Sequence, residues 1–430
     1  MKKIFFAAFI VCVLCVQSVF GGNMEVFTLS NNIKVLFYKT DGAEVATIRV
    51  FTPVAAIADD IKKAGLACIA SRLMTRSTLN RSNEVLANDI EDIGADISAE
   101  CEYDLLNINS SFMSKHFDRA VEILADVIIN PAFKEDELAS EKKDTVAALI
   151  SRKDNINAVA SDAFIAEFYS GTPYALPVAG STETVNTITT QDLRDWHKNA
   201  FNASNITISV AGNIKPAVVR AALEKYFSKI PAGQKFEKPA FNIKSPAQKV
   251  KRIKTKFNQA YIYKGYRAPS VYDKDFVNIK VAGAVLGGKM SSRLFVELRE
   301  KLGLAYEVNA VYPTRVEDSF FVIYMGLDKN NIDSSLQKID ELLADFKNKE
   351  VGDKELKDTK TYVKGLYALD RQTTGKLSYY YGMREVMGQG YKYDDTYIED
   401  FQKVTAGDVR SAADRVFNNE SFTIILDPSK

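Results

Sequence analysis

An internal repeat constrains this chain more than any other feature of its sequence. Residues 189–202 (TTQDLRDWHKNAFN) and residues 405–418 (TAGDVRSAADRVFN) share a Thr-x-x-Asp start and a Phe-Asn end, 216 positions apart. The apolar segments 206–210 and 422–426 keep the same offset. A Thr-x-x-Asp start is typical of a capped helix, and a β-strand pattern follows each copy. A helix and a strand that recur without a gap predict two homologous domains.

The pattern within the first half predicts the fold class. Spacing of apolar residues by two predicts strands at 25–29, 33–38, 45–54 and, as a pair, across 95–112. Spacing by three and four predicts helices at 62–77, 83–93, 117–129 and 135–152. We therefore predict an α+β protein of two tandem homologous domains, each a mostly antiparallel sheet with helices packed on one face. The expected domains are 22–230 and 249–430, joined by a proline-containing linker at 231–248.

The N-terminus, residues 1–21, is predicted to be a secretory signal peptide. Lys2 and Lys3 precede an unbroken apolar run, residues 4–16, which is too short to span a bilayer. We therefore expect an exported, periplasmic protein. Removal of the two lysines lowers the formal net charge from +1 to −1, so the composition indicates no general attraction to nucleic acid or anionic membranes.

A second informative stretch runs from Gly287 to Tyr306. Its apolar spacing predicts one helix that ends at Gly303, because glycine commonly adopts the left-handed conformation after a helix. A strand is predicted from Leu304 onward. Arg299 in the last helical turn and Tyr306 on the strand are then expected to lie close together and to present two hydrogen-bond donors to one acceptor.

Two features carry a resemblance to a known family: the two α+β halves behind a signal peptide, and the segments 291–295 (SSRLF) and 298–306 (LREKLGLAY). Together they resemble the pitrilysin, insulysin and mitochondrial processing peptidase family of zinc peptidases. The resemblance is to the short, paired-subunit branch of that family and covers essentially the whole chain after the signal. It implies that Arg299 and Tyr306 hold the substrate peptide.

The same resemblance implies that the zinc motif of the family, H-x-x-E-H on the first helix, is lost here. Cys68 stands at the position of the first histidine, Ser71 at that of the glutamate and Arg72 at that of the second histidine. Ala148 stands at the position of the third ligand. An arginine stays protonated and has no lone pair to donate, so Arg72 repels a divalent cation. His116 and His197 are the only histidines of the chain, and neither has metal-ligand spacing. We predict no metal in this chain.

Two cysteines remain after the predicted signal is removed, Cys68 and Cys101. The resemblance places Cys101 on an edge strand beside the helix that carries Cys68. Two interpretations stay open at this point: the cysteines form a disulfide, or both are small buried thiols.

The resemblance therefore implies a non-catalytic subunit of a heterodimeric zinc metallopeptidase, inactive alone. Its partner would be a homologous subunit with an intact motif, which supplies zinc, while this chain holds no cofactor and binds peptide. The alternative is an inactive structural or peptide-binding homologue that acts as a homodimer or in a larger assembly, similar to the core subunits of the respiratory bc1 complex. A hydrolase with Cys68 as nucleophile has less support, because neither histidine is near Cys68 in sequence.

Overall fold

The structure is a computed structural model that describes residues 23–428 except residues 43 and 245. The predicted signal peptide, 1–21, lies outside the described residues. Two sheets with flanking helices make up the part of the chain that is described, which confirms the predicted α+β class.

The first sheet has six strands in the order β1-β2-β6-β3-β5-β4. The strands are β1 Met24–Thr28, β2 Lys34–Lys39, β3 Val45–Thr52, β4 Asp96–Cys101, β5 Leu106–Met113 and β6 Thr207–Gly212. The helices of this half are α1 Leu66–Met74, α2 Asn83–Glu91, α3 Phe117–Ile129, α4 Glu135–Arg152, α5 Ile156–Phe168, α6 Thr182–Thr187, α7 Thr190–Ala200 and α8 Pro216–Phe227. All neighbouring strands are antiparallel except β2 and β6, which are parallel.

The second sheet has five strands in the order β7-β11-β8-β10-β9. The strands are β7 Val250–Thr255, β8 Ala260–Ala268, β9 Ala305–Val311, β10 Ser319–Leu327 and β11 Ser421–Pro428. The α-helices are α9 Phe276–Leu286, α10 Ile332–Asn348, α11 Asp353–Asp370, α12 Thr374–Val386, α13 Tyr393–Lys403 and α14 Ala406–Phe417, and a π-helix spans Phe295–Lys301. Only the β7–β11 pair is parallel among these strands.

The predicted duplication is confirmed by the order of the strands. Without β1, the first sheet reads β2-β6-β3-β5-β4, which matches β7-β11-β8-β10-β9 strand for strand, including the one parallel pair. The repeated helix starts are also the same: Thr189 with Asp192 and Thr405 with Asp408 each form a reciprocal capping box. Helix α1 therefore corresponds to α9, strand β4 to β9, and helix α4 to α11.

Each sheet is covered on its second face by a helix from the other half of the chain. Helix α12 packs against β3 and β6, and helix α5 packs against β8 and β11. A side chain at Gly382 of α12 would place its Cβ 2.1 Å from the ring of Phe51 on β3. At the reciprocal contact, a Cβ at Gly265 of β8 would lie 2.2 Å from the ring of Phe164 on α5. The exchange of α5 and α12 joins the two repeats through their cores.

Two helix predictions were wrong in extent. The helix expected at 62–77 is a short 3-10 turn, Ile61–Lys63, followed by α1 at Leu66–Met74. Gly65 separates them, since its φ of +97° lies in the left-handed region and a Cβ there would lie 2.6 Å from the Ala179 carbonyl oxygen. The helix expected from Gly287 begins only after Ser292, because Gly287 is extended and Gly288 has a φ of +80° in the left-handed region.

The connection between α8 and β7 contains no helix or strand among its described residues. Its first part is held by the end of the first repeat: the Asn205 side chain donates to the Gln234 carbonyl (3.1 Å) and accepts from the Phe236 amide (2.6 Å). The domain boundaries proposed from sequence remain a prediction.

Candidate functional site

Helix α1 is fixed at its start by Asp59. The carboxylate of Asp59 accepts hydrogen bonds from the backbone amides of Gly65 (3.1 Å) and Ala67 (3.2 Å), which satisfies donors that a helix N-terminus leaves unpaired. The side chains of Cys68 and Arg72 then follow one turn apart on one face of the helix. Ser71 is fully buried, and its hydroxyl donates to the Cys68 carbonyl (2.9 Å).

Arg72 is engaged in an ion pair within the first repeat. Its guanidinium lies 3.2 Å from the carboxylate of Glu141 on α4, and the guanidinium of Arg76 lies 3.4 Å from the other oxygen. The Glu141 side chain is only 5% exposed, and the Thr145 hydroxyl donates to it (3.4 Å). Burial opposes the charge of Arg72, but Cys68 and Glu141 outweigh it, and the pKa of Arg72 is raised. The negative charge of Glu141 is therefore balanced by Arg72 and Arg76 of the same chain.

Ala148 lies seven residues beyond Glu141, two helical turns along α4, and its side chain is exposed. The structure thus brings three of the four predicted positions onto α1 and places the fourth on the helix that packs against it. These residues do not fit a zinc ion. The Ser71 hydroxyl bonds the backbone, and the buried Glu141 carboxylate is already matched by Arg72 and Arg76.

Within the described residues, no group of three His, Cys, Asp or Glu side chains is arranged to hold a metal ion. The ring of His197 is held in place by a hydrogen bond and a ring contact. Its Nε2 lies 2.7 Å from the Ile128 carbonyl oxygen, and the ring stacks on Phe201 with centroids 5.7 Å apart. Burial lowers the pKa of His197. This histidine is a helix-face residue of α7, and its Nε2 is not free to act as a base toward Cys68.

Cys68 and Cys101 are brought together. Cys68 lies in α1 and is 6% exposed, whereas Cys101 ends the outer strand β4 and is partly exposed. Both are free thiols. Interaction with Cys101 lowers the pKa of Cys68, burial acts in the opposite direction, and the charge of Arg72 adds to the lowering. Interaction with Cys68 and burial raise the pKa of Cys101.

The stretch predicted from Gly287 to Tyr306 forms a corner of different shape from the one expected. Leu294 and Leu298 are fully buried as the spacing predicts, but Leu302 is 49% exposed. The reason is the π-helix, whose wider turn moves the third leucine out of the stripe. Gly303 has a φ of +59°, which confirms the predicted left-handed end.

Arg299 and Tyr306 are both exposed side chains on adjacent elements. The π-helix that carries Arg299 packs against β9, which carries Tyr306. The Arg299 guanidinium lies 5.0 Å from the centroid of the Phe295 ring, and no carboxylate among the described residues pairs with it. Tyr306 is 57% exposed on the outer strand of the second sheet. That these two side chains act on one acceptor remains a prediction.

The turn before the π-helix is tied to α11. Lys289 donates to the Thr359 hydroxyl (2.7 Å), and Arg293 forms a two-bond pair with Glu355 (2.9 and 2.8 Å). Met290, between these anchors, is 78% exposed.

Helix α11 itself exposes an apolar stripe that the sequence reasoning missed. Its members are 42%, 47% and 63% exposed: Tyr362, Leu366 and Leu369. Their spacing of four and three residues was visible in the sequence, but it is the spacing of a buried helix face as well.

Fold and sites together define a protein of the two-repeat zinc peptidase type in which the zinc position lacks its donors. The family model described as Insulinase (peptidase family M16) matches residues 34–182, and the model described as peptidase M16 inactive domain matches residues 187–363. The chain therefore belongs to peptidase family M16, the pitrilysin and insulysin family, as the sequence resemblance implied.

Similar proteins extend over almost the whole chain. The uncharacterized zinc protease YmxG of Bacillus subtilis is 25% identical over 406 residues, covering 94% of this chain and 98% of that protein. The non-peptidase homolog YmxG of Helicobacter pylori is 23% identical over 381 residues, covering 86% of each. A crystal structure described as peptidase M16 inactive domain from Pseudomonas fluorescens superimposes with a TM-score of 0.87 at 20% identity, covering 95% of this chain and 98% of that one. No described helix is long and apolar enough to cross a membrane.

Proposed function

We propose that this chain is the non-catalytic subunit of a heterodimeric zinc peptidase, which binds peptide and positions it for a homologous partner that carries the zinc. One contrast carries the proposal. In the first repeat, Glu141 is neutralised by Arg72, whereas in the second repeat Arg299 has no acidic partner among the described residues and Tyr306 is exposed. The Glu141 carboxylate of the first repeat is paired within the chain, whereas the second repeat presents donors that face outward.

Arg299 and Tyr306 suit the carbonyl groups of a peptide. A guanidinium and a phenol are both donors, and donors held on rigid elements can orient a carbonyl and stabilise the negative charge that develops on it during hydrolysis. The π-helix and β9 supply that rigidity, since Leu294 and Leu298 anchor the helix in the core. The partner would supply the zinc, the water and the general base.

The exposed apolar residues beside this corner also support a peptide ligand. Met290 and the α11 stripe of Tyr362, Leu366 and Leu369 belong to segments joined by the Lys289–Thr359 and Arg293–Glu355 bonds. Apolar side chains of an unfolded peptide would be buried against them.

The proposal includes export to the periplasm, on the basis of the predicted signal peptide at 1–21, and no cofactor in this chain. Its test is reconstitution with a family M16 chain of similar size that has an intact zinc motif and co-purifies from the native source. This chain alone should hydrolyse no fluorogenic peptide, and the mixture should be active and lose activity with chelator. Equal activity of the zinc-bearing chain with and without this chain would contradict the proposal.

A second function is favoured by the name of the Helicobacter pylori relative, a non-peptidase homolog. This chain would then be an inactive structural or peptide-binding protein, as a homodimer or in a larger assembly. Sedimentation of the native-source protein separates the two possibilities. A stable homodimer that binds unfolded peptide, and that stimulates no zinc-motif chain, would favour this second function.

A further inference from the structure

Arg299 has no acidic partner among the described residues, but its side chain does have one contact. Its guanidinium lies over the ring of Phe295, with 5.0 Å between the guanidinium carbon and the ring centroid. We propose that Phe295 is the positioning residue of Arg299: the ring holds the guanidinium in place and leaves its N–H groups free for the carbonyl oxygen of a bound peptide. The inference rests on the proposed function, in which Arg299 binds peptide.

The ring of Phe295 is itself fixed by the core. Phe295 is partly buried and packs against the hydrophobic cluster that contains Leu294 and Leu298. Leu294 precedes Phe295, Leu298 precedes Arg299, and both leucines are fully buried. Each member of the pair therefore follows directly on a core anchor, and both belong to the π-helix Phe295–Lys301. The long arginine side chain thus has a fixed surface to lie on.

An aromatic ring holds a cation in a different way from a carboxylate. A carboxylate accepts hydrogen bonds from the N–H groups of a guanidinium and so occupies its donors. A ring attracts the positive charge through its negative face and takes up none of the donors in this way. Contact with Phe295 therefore restricts the side-chain conformations of Arg299, while its N–H groups remain available to a ligand.

Arg293, earlier in the same stretch, shows the other arrangement. Its guanidinium carbon lies 5.1 Å from the centroid of the Phe346 ring, a contact of similar length. Its Nε and Nη2 also donate to the two carboxylate oxygens of Glu355, at 2.9 and 2.8 Å. Arg293 thus has a ring and a carboxylate and ties its turn to α11, whereas Arg299 has the ring alone. This difference favours a structural role for Arg293 and a ligand-binding role for Arg299.

The order of the Arg299 side chain tests the positioning without any peptide. NMR relaxation of the arginine Nε groups would be measured on the chain lacking residues 1–21, with the Arg299 signal assigned by its absence in Arg299→Gln. We expect an order parameter above about 0.6 in wild type and in Phe295→Tyr, and below about 0.6 in Phe295→Leu and Phe295→Met, which remove the ring but keep an apolar side chain.

Arg293 is the internal control in the same spectra. Because Glu355 holds it, its order parameter should be the same in wild type and in every Phe295 variant. Equal order of Arg299 in wild type and in the two variants without a ring would overturn the positioning role. A parallel loss of order at Arg293 would also overturn it, since Phe295 would then support the whole stretch and not Arg299 in particular.

Activity in the reconstituted pair tests what the positioning serves. With the fluorogenic peptide that the pair hydrolyses, Phe295→Leu should lower kcat/KM about 5-fold, and Phe295→Tyr should stay within about 2-fold of wild type. Adding Phe295→Leu to Arg299→Gln should cause no further loss, because the ring acts through the arginine. A further loss in the double variant, or full activity of Phe295→Leu in a pair that Arg299→Gln impairs, would overturn the inference.

The two experiments separate this inference from the proposed function. If Arg299→Gln leaves kcat/KM unchanged, the proposed role of Arg299 in peptide binding is wrong. The order parameters still decide, in that case, whether Phe295 positions the guanidinium.

Discussion

Helix α1 with strand β4 in the first repeat corresponds to helix α9 with strand β9 in the second, because the two sheets have the same strand order. In the first repeat the Glu141 carboxylate beside this helix is paired within the chain, by Arg72 and Arg76. In the second repeat the outer strand carries the exposed Tyr306, and the neighbouring π-helix carries Arg299 without a carboxylate partner. The same architecture therefore contains a closed site, in which the Glu141 carboxylate is paired within the chain, and an open site, in which Arg299 and Tyr306 are exposed.

The comparison shows two different arrangements of charged side chains at equivalent places of a duplicated fold. A zinc ion and its ligands contribute to the cohesion of the elements they join. Here a buried carboxylate and two arginines join α1 to α4 through Glu141. In the second repeat, Arg299 has no carboxylate partner among the described residues and Tyr306 is exposed.

The largest expected effect comes from restoring the zinc ligands of the family in the first repeat. The variant with four substitutions would carry Cys68→His, Ser71→Glu, Arg72→His and Ala148→Glu. We expect stoichiometric zinc binding, because the two histidines would lie one turn apart on α1 and the new glutamate on the adjacent α4.

Zinc content after dialysis, measured by atomic emission, checks this expectation. A matched variant that keeps Arg72 but carries the other three substitutions should bind no zinc. Equal zinc in both variants would show that Arg72 does not exclude the metal.

The second effect is on activity in the reconstituted pair. Arg299→Ala should lower kcat/KM about 100-fold, because in the proposed function it removes a charged donor from the reacting carbonyl, and Tyr306→Phe should lower it about 10-fold. Arg72→Ala is the matched control in the other repeat and should change kcat/KM less than about 3-fold. If Arg72→Ala were as damaging as Arg299→Ala, the distinction between a closed and an open site would fail.

For stability the order of the two arginines should be reversed, so that Arg72→Ala has a larger effect than Arg299→Ala. Arg72→Ala leaves Glu141 buried with Arg76 alone, and we expect a loss of about 1–2 kcal/mol in the free energy of unfolding, since the arginine is 46% exposed. Arg299→Ala should stay within about 0.5 kcal/mol of wild type.

Urea unfolding followed by circular dichroism gives both values. Adding Glu141→Gln to Arg72→Ala should recover part of the loss, because it removes a buried charge that Arg76 alone matches only in part. No recovery would indicate that the arginine acts through packing of its alkyl chain.

The smallest effect compares helices α7 and α14. His197 on α7 is partly buried and its pKa is lowered by burial, and the equivalent position on α14 is Ala413. The unfolded state binds a proton at higher pH than the folded state does, so stability should fall as the pH drops below about 6.5. His197→Ala should flatten this dependence in urea titrations at pH 5.5 and 7.5. A slope unchanged in that variant would assign the effect to other groups.

Regular elements were predictable where one periodicity dominated. Helices at 117–129 and 135–152 agree with α3 and α4 residue for residue. The prediction failed at 62–77 and at the start of the stretch from Gly287, where Gly65, Gly287 and Gly288 adopt extended or left-handed conformations. Secondary-structure propensity reflects only the residues that are near in sequence. The close approach of Gly65 to Ala179 joins segments that are far apart in sequence, so the local pattern could not predict it.

The repeat, the family and the missing zinc donors were set by the sequence alone, because each rests on which residue types stand at which spacing. Tertiary structure alone decided two further features: the exchange of α5 and α12 between the sheets, and the pairing of Arg72 with Glu141. Both join residues far apart in the chain, and the energy of such contacts exists only once folding has paired their elements.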